Sequence, residues 1–317
     1  MVAARNVLIT GGSAGIGLAC VERFARAGDH VWFTYHSGQA RAAELVARLA
    51  RTSPRPVRAF AFRQGEWGDH ERLLAELPGP VDVLVNNAAV GSKTVENYVP
   101  GPVHLRDAAF LQINAVGPLW LVQQLLPGML ARGRGKIVNV SSVGGGVAPF
   151  PGFGVADGMS KAALAYLTRH LAAELAHADV DVVAVCPGAV ETPMFEASTL
   201  AGLTPDRRAA LEAALPRGRL IRPEEIADLV WWLAGTGSGV LHGAVIDASM
   251  GLGAHPGLLT GRSAPPDETA PAPCPGPASA GPGEPDRGAG GQRAPRPAPV
   301  LPEPVAGPGG QSASRPG

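Results

Sequence analysis

The stretch Val7-Leu8-Ile9-Thr10-Gly11-Gly12-Ser13-Ala14-Gly15-Ile16-Gly17 is an apolar run that stops abruptly in a glycine-rich loop. The run is short and β-type, and the residues after Gly17 carry helical spacing. A strand, a glycine loop and a helix in that order form a cradle for a pyrophosphate. Gly11 and Gly15 permit tight turning and close approach of backbone to phosphate. Gly17 permits packing of helix on strand, and the helix N-terminus faces the negative charge. Thr10, Gly11, Ser13, Gly15, Ile16 and Gly17 are therefore the candidate contacts of a dinucleotide.

Outward from this stretch the same alternation continues. Strands are expected at Val7–Thr10, His30–Tyr35, Arg58–Phe62, Val81–Asn86, Lys136–Ser141, Asp181–Cys186 and Ala244–Asp247. Helices are expected at Gly15–Ala27, Gln39–Arg51, Asp69–Leu77, Leu105–Leu130, Met159–Ala178 and Pro223–Ala234. Several strands are unbroken apolar runs, as parallel strands covered on both faces should be. The reading is α/β: a Rossmann-type doubly wound parallel sheet of about seven strands in one domain, residues 1–255. From residue 256 to 317 the chain is Pro, Gly, Ala and Ser with few large apolar residues, the composition of a disordered tail.

With formal net charge zero, the chain has no basic surface for nucleic acid or an anionic membrane. No apolar run approaches the ~20 residues of a membrane span. The first strand begins without a charged-then-apolar leader, so a cytoplasmic location is expected. Cys20, Cys186 and Cys274 are far apart and lack metal-ligand spacing, so they read as free thiols with no metal site. Scarce lysine beside abundant Arg, Ala, Gly and Pro is the usage of GC-rich bacterial coding.

The choice of ribose is read after the second strand, where an acidic residue about 20 positions on would favour a 2′-hydroxyl. Here the segment is Thr34-Tyr35-His36-Ser37-Gly38-Gln39-Ala40-Arg41, with no acid. His36, Ser37 and Arg41 are placed to face a 2′-phosphate, which favours NADP(H) over NAD(H).

Further along stand Asn86-Asn87-Ala88-Ala89, Ser141-Ser142-Val143-Gly144-Gly145, Ser160-Lys161-Ala162-Ala163 and Asp247-Ala248-Ser249-Met250-Gly251. With the glycine loop, these resemble the short-chain dehydrogenase/reductase family over about residues 5–253. The resemblance implies that Asn87 and Ala88 border the cofactor, that Pro187 and Gly188 follow the sixth strand beside it, and that Thr192 meets the nicotinamide carboxamide. It also implies that Ser142 orients a substrate carbonyl, with Ser141 as runner-up, and that Lys161 holds the ribose and tunes the proton donor. Two positions depart from the pattern. Ala14 stands where many NADP-dependent relatives carry Arg. Arg63-Gln64-Gly65-Glu66 stands where an Asp commonly touches adenine, so Arg63 either stacks on adenine or marks a decayed site.

In the family an Asn on the long helix links Lys to solvent through water, and Asn114 fits. Pro118 has no amide to donate to the Asn114 carbonyl, so that carbonyl is left free and the helix should kink.

The decisive departure is Asp157-Gly158-Met159-Ser160-Lys161. The family has Tyr-x-x-x-Lys, and here Asp157 replaces the Tyr that donates the proton. Asp titrates near ~4 against ~10 for Tyr, and the Lys161 ammonium should lower it further. A plain alternative is an i,i+4 ion pair at a helix start. Tyr166 lies on the opposite side of its helix, Tyr35 belongs to the ribose end, and Tyr98 is a remaining candidate near the cleft. The segment Met194–Gly218 reads as a mobile, mostly apolar lid over a small organic substrate.

Three readings stay open. One is an NADP(H)-dependent carbonyl oxidoreductase with non-standard proton donation, in bacterial specialised metabolism. The second is a non-redox dehydratase or cyclase on the same fold. The third is a catalytically inactive partner subunit. The helices carrying Asn114 and Lys161 are the family's oligomer interface, which implies a homodimer or homotetramer.

Overall fold

The computed structural model describes residues 4–150 and 153–255. The segment expected to be a tail, with Cys274, lies outside the described residues.

The strands are β1 (Asn6–Ile9), β2 (His30–Tyr35), β3 (Val57–Ala61), β4 (Val83–Asn86), β5 (Gly135–Val140), β6 (Val180–Pro187) and β7 (Val245–Ala248). They form one sheet in the order β3-β2-β1-β4-β5-β6-β7. Every pairing is parallel. The fold is thus the expected single Rossmann-like domain. The order reverses between β1 and β4, and a crevice opens there beyond the strand ends.

The period-2 alternation of each strand sends side chains to two separate cores. Val7, Ile9, Val31, Phe33, Val83 and Val85 pack on one face with Phe24. Leu8, Trp32, Leu84, Ile137 and Val182 pack on the other with Leu121 and Leu171. Both faces are covered by these cores, and the charged Lys136 and Asp181 on β5 and β6 pair with each other where the strands begin.

The helices are α1 (Gly15–Arg26), α2 (Gln39–Leu49), α3 (Trp67–Glu76), α4 (Val95–Tyr98), α5 (Val103–Leu111), α6 (Gly117–Ala131), α7 (Val143–Gly146), α8 (Val155–Glu174), α9 (Pro193–Phe195), α10 (Pro205–Ala214) and α11 (Pro223–Leu233). Three differ from expectation. The long helix expected over Leu105–Leu130 is α5 and α6 joined by a π turn at Gln112–Val116. The Gly117 amide reaches back to the Gln112 carbonyl there. The expected kink takes this form because Pro118 cannot donate, and a wider turn absorbs the missing bond. Next, α8 starts four residues before Met159, which puts Asp157 in its first turn. Finally, the segment expected to be an apolar lid holds α10, which buries no residue, is capped by Thr204 and is tied by Arg208 to Glu196 and Glu212. Its charge pairs, invisible in a composition count, make it a polar surface element.

Among the described residues no helix is long and apolar enough to cross a membrane, and no cluster of His, Cys, Asp or Glu is placed to hold a metal.

Candidate active site

The loop between β1 and α1 turns through Gly11 and Gly15, at φ +69° and +54°. This left-handed region favours glycine. At Gly17 a Cβ would stand 2.2 Å from the Gly11 carbonyl oxygen and 2.5 Å from Asn87 Nδ2. The crowding lies within the loop and its neighbour, whereas the sequence suggested crowding of helix on strand. Gly17→Ala is therefore expected to cost about 1–3 kcal/mol, read as a lower urea midpoint, and to weaken dinucleotide binding. Thr10 is fully buried beneath the loop. Its Oγ1 accepts from the amides of Asn87 (3.0 Å) and Ala88 (2.9 Å). Asn87 Nδ2 donates back to the Thr10 carbonyl at 2.9 Å. Thr10 and Asn87 thus bind the glycine loop to the turn after β4.

A cleft of about 840 Å³ crosses the strand ends. Gly11, Ser13, Gly15, Ile16, His36, Ser37, Asn87, Ala88, Lys161 and Thr192 line it, as does Ser141. Ser142, Asp157, Asn114, Pro187 and Gly188, with Thr10 and Gly17, are not among its lining residues. Gly188 packs against Ser249, where a Cβ would come within 2.9 Å. Thr192 caps α9 by accepting from the Phe195 amide at 3.2 Å. That cap holds its methyl group opposite Gly15.

At the ribose end, Ser13 Oγ and Arg41 Nη2 converge on Gly38, whose added Cβ would meet them at 2.7 and 3.0 Å. No acidic side chain follows β2 there. Burial, then the Arg63 charge, pushes the His36 pKa down. Arg63 grips Asp69 through Nε (3.2 Å) and Nη2 (3.1 Å), and Arg72 adds a third side-chain bond at 2.9 Å. Asp69 is almost fully buried, and these bonds hold its carboxyl well below the usual range. Arg63 is therefore ordered by an ion pair at the position where relatives carry Asp. Tyr98 stacks on His36, with ring centroids 4.4 Å apart. The stack holds its ring against His36, in the same cleft that Lys161 lines. Tyr166 is exposed on α8, as expected.

At the other end, the π turn presents Asn114, buried at 1% exposure. Its Oδ1 accepts from the Val90 amide (2.8 Å), and Nδ2 donates to the Val90 carbonyl (3.0 Å) and to Ser160 Oγ (3.0 Å). Ser160 in turn donates to the Asp157 carbonyl at 2.7 Å. No side chain among the described residues takes the Asn114 carbonyl. The carbonyl that does gain a side-chain donor is that of Ile113, five residues before Pro118 and taken by Gln64 Nε2 at 2.8 Å. A buried ladder, Asn86 to Asn139 to Thr168 (2.9 Å each), fixes α8 to β4 and β5.

Ser141 Oγ donates to the Lys161 carbonyl at 2.8 Å, so its hydrogen is committed. Ser142 Oγ accepts from the Gly144 amide at 3.2 Å and keeps its hydrogen. Lys161 is buried at 9% exposure. Burial pushes its pKa down, against the pull of Asp157. Asp157 does not close an ion pair with Lys161. Its Oδ2 accepts from Ser92 Oγ at 3.4 Å. The expectation that Lys161 would set its acidity is reversed in sign. Burial pushes the Asp157 pKa up, outweighing both the Lys161 charge and the Ser92 bond.

Gln64, Ser92 and Ser160 were not singled out by sequence. Ser160 alone left a signal, since it precedes Lys161 in the matched motif.

A family model described as short chain dehydrogenase matches residues 5–201. Acetoacetyl-CoA reductase of Allochromatium vinosum is 33% identical over 256 residues, covering 80% of this chain and all of that protein. A variant of an actinorhodin polyketide ketoreductase, solved with NADPH, superposes with a TM-score of 0.70. It is 29% identical, and the match covers 79% of this chain and 97% of that one. A 3-oxoacyl-[acyl-carrier protein] reductase of Brucella melitensis, with bound NAD, gives 0.68 at 29% identity, over 78% and 90%. The chain belongs to the short-chain dehydrogenase family. Its own geometry suits a nicotinamide dinucleotide: the two left-handed glycines and the crowded Gly17 shape a tight loop at the mouth of the open cleft, where backbone can approach a pyrophosphate closely.

Proposed function

We propose that this chain is an NADP(H)-dependent oxidoreductase that reduces the carbonyl of a small organic substrate, or oxidises the matching alcohol, with Asp157 supplying the proton that Tyr supplies in its relatives. The observation that carries the reading is Lys161 in the cleft wall, its charge felt by the unpaired Asp157 carboxyl four residues before it, whose pKa burial pushes up.

A bound nicotinamide would supply the hydride for the carbonyl carbon in reduction, or take it up in oxidation. Ser142 turns its uncommitted hydroxyl hydrogen to the substrate oxygen. Asp157 is shorter than Tyr, so its proton reaches that oxygen through one bridging water. Lys161 would hold the ribose and, through water, return a proton to Asp157. The proposal makes the site that of a general acid with a raised pKa. Its relatives' names, reductases of acetoacetyl-CoA and of 3-oxoacyl groups, support a 3-oxoacyl ketone as the first substrate to try. The same reading makes the protein a cytoplasmic homodimer or homotetramer in bacterial specialised metabolism.

The NADP preference rests on Arg41 and Ser13 meeting at Gly38 with no acid beside them. Arg41→Ala is expected to weaken NADPH about 10–100-fold, the equivalent of one charge-assisted contact, and to leave NADH within about twofold. Fluorescence titration of both cofactors measures this.

The test of the reading as a whole is NADPH binding and consumption with a ketone panel, for the natural chain beside Asp157→Tyr. Both are expected to bind NADPH, and both to consume it. Absence of binding in both overturns the proposal.

A further inference from the structure

Gln64 is a buried amide with an unusual set of partners. It follows β3, lines the cleft and is 5% exposed. Nε2 donates to the carbonyls of Ala88 and Ile113, each at 2.8 Å. Both partners only accept, so the amide orientation is fixed, and Oε1 is left buried without a partner. A side chain held at that cost has its use on the nitrogen side.

The Ile113 carbonyl needs a donor because of Pro118. In the π register its amide partner would be residue 118, which has none. Gly117 makes room for the replacement: a Cβ there would stand 2.4 Å from the Gln64 carbonyl and 2.5 Å from its Cγ. The next residue in the π turn is Asn114, which holds Val90 and Ser160, and Ser160 holds the backbone of Asp157. A continuous path therefore runs from the adenine side of the cleft to the proton donor.

We infer that Gln64 is a positioning residue: by capping the carbonyl that Pro118 strands, it holds the π turn in the register that places Asn114 and, through Ser160, the first turn of α8 with Asp157. The inference rests on the reductase reading for its kinetic consequence, but its structural part stands apart from it.

The test is Gln64→Met, which keeps length and removes the donor, made alone and with Pro118→Ala, which restores an amide. Gln64→Met is expected to lower kcat by about 10²-fold, the scale of an ångström's misplacement, with NADPH affinity within about twofold. Hydrogen exchange should quicken at Gln112–Val116 and at Ser160–Lys161. Adding Pro118→Ala should restore much of the exchange protection and part of kcat, a non-additive pair. Unchanged kcat and exchange in a folded Gln64→Met overturns the inference, as does a loss confined to NADPH binding. If Gln64→Met does not fold, Gln64→Asn, one methylene short, is read by the same criteria. If the natural chain consumes no NADPH, the reductase reading fails while the exchange data still decide the positioning link.

Discussion

Replacing Asp157 with Asn is expected to lower kcat for ketone reduction about 10²–10⁴-fold, the range for loss of a positioned general acid. That corresponds to roughly 3–5 kcal/mol of barrier. Asn matches Asp in size and can still accept from Ser92, so the fold and the Ser160 bond to the residue-157 carbonyl should survive. What it lacks is a proton to give. NADPH affinity should change by less than about twofold, because Asp157 is not among the residues that line the cleft. Stopped-flow NADPH consumption with an equilibrium titration separates the two quantities. A variant that keeps its kcat assigns the proton to another group.

Replacing Lys161 with Met should cost about 10²–10³ in kcat, the loss associated with one preorganised donor at a site of developing charge, and should also weaken NADPH. It carries a second signature. The Lys161 ammonium lowers the Asp157 pKa against burial. Its removal leaves burial with less opposition, so the Asp157 pKa rises further. The acid form then persists to higher pH, and the alkaline fall in kcat of the variant should move upward. A downward or absent shift would mean that Lys161 does not act on this carboxyl.

The features that could be read from sequence were those set by local covalent chemistry. A strand ending in Gly11 and Gly15 needs only its own residues to announce a left-handed loop. Pro118 announces a missing amide wherever it sits, so a break in the long helix was legible, although not its π form. The sheet followed from apolar runs and helix spacing. The partners of that break were not legible: Gln64 and Ile113 are 49 positions apart, and only the folded chain brings the loop after β3 to the π turn. The sign of the Asp157 shift was misread for the same reason. An ammonium four residues away is visible in sequence, whereas the burial that outweighs it is a property of the assembled site. The lid segment misled differently, because Arg208, Glu196 and Glu212 neutralise one another in a composition count but pair on the surface.

The most direct test of Asp157 as the acid is the pH dependence of kcat at saturating NADPH and ketone, measured for the natural chain and for Asp157→Asn. The account predicts that kcat of the natural chain falls as pH rises through an apparent pKa above the ordinary carboxylate range, and that this fall is missing from the much slower Asn variant. The same alkaline fall in both proteins would contradict it.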